Sequence, residues 1–437
     1  MRLSINLNWR YNLINKFENM TQWKIYPWLV FTTGALFFFL MYTARVSPSI
    51  IQEPLMRDFH IRASEFGSLT GYFYITYLIM QLPVGGLVDR YGAHKLIMLT
   101  TALFAIACFI FATTEHLYMI KISRLIMGFA GSFAFVSTFK LAMIWFPPSM
   151  LGLLAGLTQC SGMLGAAFGE GPLSYIAVAL GWRGLLFMIG CFVAVLSIIS
   201  MLIMRAPTNV KQAPLENWHD LWTGLCEVLR NPQSWLNAVF AGLIFMPTLA
   251  FGEVWGTPYL MQVKGFTLHQ AGMADGILFA GWVIGGVIVG TLSDHYQQRK
   301  PFFYISALLS ALFLFVIIYL DHISFYFCCV CTFLYGLVNT GLITSYALSG
   351  EINKSDVSGV SVSFCAFFSV LIGALWIPVI GFVFDLYDST IVNGVPVYPK
   401  EAYQNIFLSF PFLLILACIV AIWIKETHCR NVTEHEK

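Results

Sequence analysis

Charge is what this chain has least of. Only 11% of its 437 residues are Asp, Glu, Lys or Arg, where soluble domains carry about 25%. So few charges cannot give a protein of this size a solvated surface. With 58% hydrophobic residues and a mean hydropathy of +0.75, lipid must be the solvent for most of its length. The formal net charge is +2, so nothing argues for nucleic acid as a partner. A Walker loop, a zinc ligand set and a nucleophile elbow are all missing, so neither an ATP pump nor a membrane enzyme is supported, and no metal or cofactor is implied. The ten cysteines sit mostly in apolar runs, where they read as small buried residues. Cys328, Cys329 and Cys331 are close together, but no His or carboxylate completes a metal set, and no disulfide framework is implied. Residues 1–24 include Glu18 and lack a small-residue cleavage site, so they read as a short basic tail and not as a secretory signal.

What the chain does have is apolar runs. A membrane span needs about 20 mostly apolar residues. Twelve such stretches are found, near 27–51, 65–88, 94–113, 117–145, 150–178, 183–204, 233–262, 269–292, 301–320, 323–349, 357–384 and 402–424. The longest polar gap, 205–232, carries Pro207, Lys211, Pro214, Glu216 and Asp220 and divides them six and six. The expected fold is therefore an all-α membrane protein of twelve transmembrane helices in two six-helix bundles. The parts are a tail over 1–24, a first bundle over 25–204, a central loop over 205–232, a second bundle over 233–424 and a tail over 425–437.

One phrase occurs twice, 205 residues apart. The first copy is Gly85-Gly86-Leu87-Val88-Asp89-Arg90-Tyr91-Gly92-Ala93-His94-Lys95, and the second is Gly290-Thr291-Leu292-Ser293-Asp294-His295-Tyr296-Gln297-Gln298-Arg299-Lys300. Gly, Leu, Asp, Tyr and Lys recur at the same spacing. A charged loop copied into both halves of an apolar chain marks a duplicated bundle, and such repeats typify secondary transporters. Orientation follows from Lys and Arg. With both termini cytoplasmic, inner segments hold fifteen of the 24, and outer segments hold six: Arg57, Arg62, Lys121, Arg183, Lys264 and Lys400. The other three, Arg45, Arg124 and Lys140, lie inside spans. This places both repeated loops on the cytoplasmic face. Outside, Asn393-Gly394 between two short β-favouring runs signals a hairpin.

The phrase at 85–95 resembles the loop signature of the major facilitator superfamily, Gly-x-Leu-x-Asp-Arg-x-Gly-x-[Arg/Lys]-[Arg/Lys], departing from it at His94. Arg124-Leu125-Ile126-Met127-Gly128, Trp145-Phe146-Pro147 and Gly181-Trp182-Arg183 are similar to further motifs of that family, and the resemblance covers nearly all of the chain. It implies a carrier of a small molecule in a cell membrane, an inner membrane if the source is bacterial, working as a monomer. Two branches look nearest. Tyr42 to Ser49 resembles organic-anion:cation symporters. Lys140 to Pro147, with Trp255-Gly256-Thr257-Pro258-Tyr259-Leu260, also resembles bacterial relatives of lysosomal dipeptide carriers. In drug exporters the fifth span carries Gly-x(8)-Gly-x(3)-Gly-Pro; here Gly156, Gly165 and Gly169 fit, but Glu170 replaces the proline.

Charges inside spans are costly and usually functional. At about 1.5 Å per residue, Arg45, Arg124 and Glu170 lie roughly 9, 10 and 12 Å from the outer end of spans 1, 4 and 5. Arg45 suits a carboxylate or phosphate clamp, with snorkelling to the headgroups as its alternative. Arg124 either joins the site or pairs with Glu170. Glu170 and Glu253 are carboxyls suited to carry a proton. Around Glu253, the residues Gly252, Gly256 and Pro258 predict a broken helix in span 7, which marks binding sites in transporters. No basic residue of the second half lies at its depth. Asp275 is expected at a wet helix start, and Lys140 either snorkels or joins the site. Trp255, Tyr259, Asn339, Tyr346 and Trp376 are further binding candidates, though each could equally be plain packing.

Asp89, Arg90, Lys95, Asp294, Arg299 and Lys300 are expected to latch the bundles, Asp89 against the start of span 11 near 355–359 and Asp294 against the start of span 5 near 149–152. A cation on one wall and an anion on the other suit a small carboxylate-bearing solute, moved by alternating access, either with a proton through Glu170 or Glu253 or as a uniport. A dipeptide or amino-acid carrier, an exporter of drugs or siderophores, and a non-transporting sensor or scaffold are the alternatives; the short tails argue against the last. The topology is tested by labelling. Asn393→Cys and Gly394→Cys should react with an impermeant thiol reagent from outside and Gln297→Cys should not; the reverse pattern would overturn the orientation.

Overall fold

The computed structural model describes residues 25–204, 218–354 and 357–431. The expected tail over 1–24, the first part of the central loop and the end of the C-terminal tail lie outside the described residues. Helix α1 is Ile25–Val46, α2 Gln52–Phe59, α3 Ala63–Gln81, α4 Val84–Tyr91, α5 Ala93–Thr113, α6 Leu117–Trp145 and α7 Leu151–Ile203. After the gap come α8 Trp218–Arg230, α9 Pro232–Pro247, a π-helical turn Thr248–Trp255, α10 Gly256–Gln262, α11 Leu268–Tyr296, α12 Lys300–Tyr319, α13 Phe325–Val338, α14 Gly341–Glu351 and α15 Ser358–Phe384. A two-stranded sheet, Thr390–Val392 with Val395–Val397, precedes α16 Lys400–Phe407 and α17 Ser409–Trp423. Among the described residues ten helical runs, counting α9 to α10, α13 with α14 and α16 with α17 as one each, are long and apolar enough to cross a membrane, and the pair α3–α4, bent by 63°, makes eleven.

Several expected boundaries move, each for a local reason. Span 1 stops at Val46, because Ser47-Pro48 cannot extend it, and α2 follows as a separate short helix. Span 2 breaks at Pro83. Spans 5 and 6 run together as the 53-residue α7, with one interruption, Gly181 at φ 68 and ψ 170. Only glycine takes that conformation without strain, so the expected loop shrinks to one residue. Span 7 is not broken. Pro247 cannot donate its backbone hydrogen bond, an extra residue is wound into the turn, and the helix continues as a π-bulge. Pro258 is the third residue of α10, and its missing N–H falls just past the π-helical turn. Part of the central loop is the helix α8, whose Val228 is buried against Val357 and Phe364. The hairpin forms as expected, with Asn393 at φ 52 and Gly394 at φ 79 and Val392 opposite Val395.

The helices pack in two groups. In the first, α7 lies on α1 and α5, and α6 on α3 and α5; in the second, α9 lies on α15 and α17, α11 on α13, and α12 on α17. The groups meet along two seams, α7 with α11 and α3 with α15. Both seams are tight at the end away from the repeated loops. A Cβ on Gly381 would lie 2.3 Å from the Ala63 carbonyl oxygen, and one on Gly272 2.4 Å from that of Glu170. At the loop end the groups part around a cavity of about 510 Å³, lined on one side by Tyr42, Tyr77, Gln81 and Gln159 and on the other by Phe245, Trp282, Tyr346 and Ser369.

Within the second group α11 and α13 cross almost backbone to backbone, as small residues allow in membranes. A Cβ on Gly336 would stand 1.9 Å from the Leu278 carbonyl oxygen, whereas one on Gly359 meets nothing within 4 Å. Gly336→Ala should therefore lower the unfolding midpoint of the solubilised protein, by about 1–3 kcal/mol in stability, and Gly359→Ala should leave it unchanged. Equal midpoints would show that the crossing is not tight.

Candidate functional site

Arg45 stands in the last turn of α1, where a cation complements the exposed carbonyls of the helix end. The end is closed by Arg124 of α6, whose Nη1 donates to the Ala44 carbonyl at 3.3 Å and whose Nη2 reaches that of Arg45 at 3.5 Å. The π-helical turn of span 7 carries Glu253 from the other group directly opposite. Arg45 donates through Nε to Glu253 Oε2 at 2.6 Å and through Nη2 to Oε1 at 2.8 Å. Tyr74 of α3 donates its hydroxyl to the same Oε2 at 2.6 Å. Arg45, Glu253 and Tyr74 are each no more than 1% exposed. This is a two-point charge-assisted bond in a low dielectric, a strong form of ion pair. The Arg45 guanidinium also lies 4.8 Å from the ring centre of Tyr42, 5.0 Å from Tyr74, 5.7 Å from Tyr77 and 5.9 Å from Phe73, so aromatic faces replace the water it has lost. Tyr42 and Tyr77 also line the cavity. The ion pair thus lies one ring behind the cavity's closed end.

The expected pair of Arg124 with Glu170 does not form. Arg124 is fully buried, faces the Phe73 ring at 4.9 Å and leaves Nε without a partner. Glu170 points the other way, into the seam between α7 and α11. Thr257 Oγ1 sits 3.1 Å from Glu170 Oε2 and 3.3 Å from Asp275 Oδ2. Asp275, expected at a wet helix start, is completely buried there, because α11 begins at Leu268 and carries it into the seam. Glu253 does have a basic partner, supplied by the opposite group.

Of the aromatic and amide candidates, Tyr346 lines the cavity, with its hydroxyl 3.0 Å from that of Ser369. The others serve packing. Trp255 donates to the Ile377 carbonyl and packs between Phe66 and Phe384. Tyr259 donates to the Ile318 carbonyl, Asn339 joins Thr248, Ser310 and Ile244, and Trp376 donates to Ser409. Sequence reasoning missed Tyr42, Tyr74 and Tyr77. The signal was Tyr74 and Tyr77 three apart on one helix face and Tyr42 three before Arg45.

Among the described residues the charged side chains of the repeated loops are held within their own groups. Asp89 takes Lys140 of α6 at 2.6 Å instead of the start of α15; Ser355 and Asp356 lie outside the described residues. Asp294 takes Arg299 at 2.7 Å instead of the start of α7. Arg299 also holds Glu351 at 2.6 Å; burial works against its charge, but these carboxylates prevail and hold the guanidinium above its ordinary pKa. Burial likewise opposes the charge on Glu426, yet the N–H groups of Lys300, Arg299, His428 and Thr427 hold its carboxyl below the usual range. Lys300 Nζ donates to the Ile422 carbonyl, Arg90 lies over the ring of Tyr91, and Lys95 makes no ion pair among the described residues.

A profile of the Major Facilitator Superfamily matches residues 31–375. A probable galactarate/D-glucarate transporter of Escherichia coli (strain K12) is 22% identical over 288 residues, covering 59% of this chain and 64% of the relative. A hexuronate transporter of Bacillus subtilis is 25% identical over 277 residues, covering 61% and 64%. The matches thus span less than two thirds of these relatives' own length. In fold the chain is similar to a bacterial homologue of the human lysosomal transporter Spinster, in its inward-facing and unoccupied conformation, with a TM-score of 0.74 at 15% identity over 94% of this chain and 98% of that one.

Removing one partner of a buried ion pair strands the other. Glu253→Gln should destabilise the solubilised protein by about 3–5 kcal/mol, and adding Arg45→Met should recover most of that loss. A wild-type unfolding midpoint for Glu253→Gln alone would show that Glu253 does not neutralise Arg45.

Proposed function

The chain belongs to the major facilitator superfamily, and on that footing we propose that it carries a small hydroxylated organic carboxylate, together with a proton, by alternating access. It is a multi-pass membrane transporter and not an enzyme. The observation that carries the substrate class is a charge count. Two buried guanidiniums, Arg45 and Arg124, face one aromatic ring, that of Phe73, and one carboxylate, Glu253, serves the first of them. An anionic solute fits that excess. The hydroxyls and amides of Tyr42, Tyr77, Gln81, Gln159 and Tyr346 on the cavity wall offer bonds to a hydroxylated body. The sugar-acid carriers among the relatives support the same class.

In this reading the ten long helices, the bent pair α3–α4 and the second half of α7 beyond Gly181 make twelve crossings, six in each bundle. The monomer is the working unit. The repeated loops are cytoplasmic, so the cavity opens inward and the tight end is the closed outer gate. The Arg45–Glu253 bond ties the two bundles at that gate. A solute carboxylate entering beside Tyr42 and Tyr77 competes with Glu253 for the Arg45 fork, and Arg124 adds its charge nearby. Glu253, displaced in a low dielectric, takes up a proton. Carboxylate and proton are then bound together, which is the requirement for symport. Asp89, Arg90, Lys95, Asp294, Arg299 and Lys300 form the opposite latch: their present partners lie within their own bundles, and they are free to engage the other bundle when the inner face closes.

A specific observation favours a second reading. Phe38, Phe135, Phe245 and Trp282 make much of the wall apolar, which suits export of an amphipathic anion. Uptake into proteoliposomes separates the two. Glucarate or hexuronate should accumulate when the outside is acidified, and Arg45→Lys, which keeps the charge but loses the planar fork, should raise the apparent KM by about tenfold or more at equal protein. Unchanged kinetics for Arg45→Lys would sink the clamp, and acid-driven efflux of a lipophilic anion with no sugar-acid uptake would favour export.

A further inference from the structure

The seam between α7 and α11 holds two carboxyls that the solute site does not use. Glu170 comes from the first bundle and Asp275 from the second, and both are completely buried. Between them stands the single hydroxyl of Thr257, 3.1 Å from one carboxyl oxygen and 3.3 Å from the other. A hydroxyl has one proton to donate. It can satisfy one carboxylate; the other must itself carry a proton and donate to the hydroxyl oxygen. Among the described residues the remaining oxygens, Glu170 Oε1 and Asp275 Oδ1, make no hydrogen bond, and no Lys or Arg pairs with either carboxyl. Two like charges in so dry a place could not both be ionised.

Two further observations join this pair to the outer surface. Ser49, only 2% exposed, stands beside Glu170, and its hydroxyl closes no hydrogen bond among the described residues. Ser49 also lines a second cavity of about 170 Å³, with Gln52, Glu53 and Pro258, on the outer side of the closed gate. That volume has room for several waters. Glu53 stands half-buried in its wall; burial pushes the carboxyl up, against a bond from Gln262 and the charge of Arg57. A titratable group at the mouth, a polar side chain at the back and a carboxyl pair behind it make a route for a proton from outside.

We infer that Glu170, Thr257 and Asp275 form a proton-binding site, filled from the outer face through Glu53 and Ser49, that locks the outer gate. The inference rests on the alternating-access reading and on the orientation given above. With the proton present, the carboxyls and the hydroxyl bind α7 to α11 across the bundles. Gly272 and Gly276 permit this approach, since a Cβ on either would meet the backbone of α7 at 2.4 and 2.8 Å. When the proton leaves to the outer water, two carboxylates oppose each other and the seam parts. The gate therefore closes on acidification outside and loosens in alkali. This lock is separate from the Arg45–Glu253 bond, which answers to the solute.

Other groups near the seam are Glu253, already held by Arg45; Cys328 and Tyr335 of α13, close enough to feel the charge of Asp275; and His269 of α11, which stacks on Tyr175 of α7 at 4.0 Å. His269 is an imidazole beside the proposed lock, so its part in any pH response is tested on its own.

The reporter is Ser174→Cys. Ser174 is completely buried on α7, against Gly272, so its replacement reacts with an impermeant thiol reagent added outside when the seam opens. Modification is read on its own peptide by mass spectrometry and scaled to Leu180→Cys, a position that is 53% exposed. Between about pH 5 and about pH 8 outside, the scaled rate should rise at least about fivefold. Glu170→Gln with Asp275→Asn, the neutral counterparts of the protonated pair, should hold the rate at its acid value throughout. His269→Gln should keep the full response. If the double variant does not fold, Asp275→Asn alone carries the test: one carboxyl cannot repel itself, and the response should fall below about twofold. A flat response in the otherwise unaltered protein, a full response in the carboxyl variants, or loss of the response in His269→Gln would each overturn the lock. The labelling needs no solute, so a lock that behaves as described while no carboxylate is transported would discard the substrate reading and leave this one standing.

Discussion

A guanidinium sunk in hydrocarbon must find an anion, and Arg45 finds it in the other half of the molecule. That requirement organises what surrounds it. Helix α1 has to stop where Arg45 can turn towards span 7, and Ser47-Pro48 stops it. Span 7 has to present Glu253 at the same level, and the π-bulge after Pro247 does so. Tyr74 adds a donor to the carboxylate, and the rings of Tyr42, Tyr77 and Phe73 close around the cation. Because the bond joins two bodies that otherwise meet along two seams, closing one face of the protein and neutralising one charge become a single event. In the proposed mechanism a solute that replaces Glu253 acts on the gate by chemistry and not by bulk.

The two repeated loops show how one phrase can acquire two roles. In the first bundle Asp89 holds Lys140, and Arg90 is left exposed over Tyr91. In the second, Asp294 and Glu351 share Arg299, while Glu426 gathers the N–H groups at the start of α12. The difference comes from the residue near the loop end of the neighbouring span, which is Lys140 in one half and Glu351 in the other. A cation there satisfies the loop's aspartate; an anion satisfies its arginine. The second loop is also tied to the chain that follows the last span, so the two loops are unequal in how firmly each is held to its own bundle.

Much was legible without coordinates, because lipid leaves few choices. Apolar runs of about 20 residues must be helices, Pro and Gly must interrupt them somewhere, and a duplicated loop must mark a duplicated unit. Asn393-Gly394 needs positive φ at both positions and so dictated its turn. That Arg45, Glu253 and Glu170 would need company was readable for a similar reason: each is a charge where charge is expensive. The exact break points were less readable, since Gly181 replaces a loop by one residue and Pro247 overwinds span 7 instead of breaking it.

Partnership was beyond the sequence. Depth along a helix can be counted, but its rotation and the side it turns to cannot, so Arg124 and Glu170 were matched by level although they face different neighbours. Arg124 lies against the carbonyls of α1, while Glu170 lies in a seam with Thr257 and Asp275, residues of the other half of the chain. Trp255, Tyr259 and Asn339 fell on the right spans yet point into packing, whereas Tyr42 and Tyr77 sit between the ion pair and the cavity. The sequence by itself determined a duplicated helical membrane protein with charges it could not leave unpaired. Tertiary structure decided which charge met which, because in a membrane that choice depends on how helices are turned against one another, and no local rule along the chain encodes it.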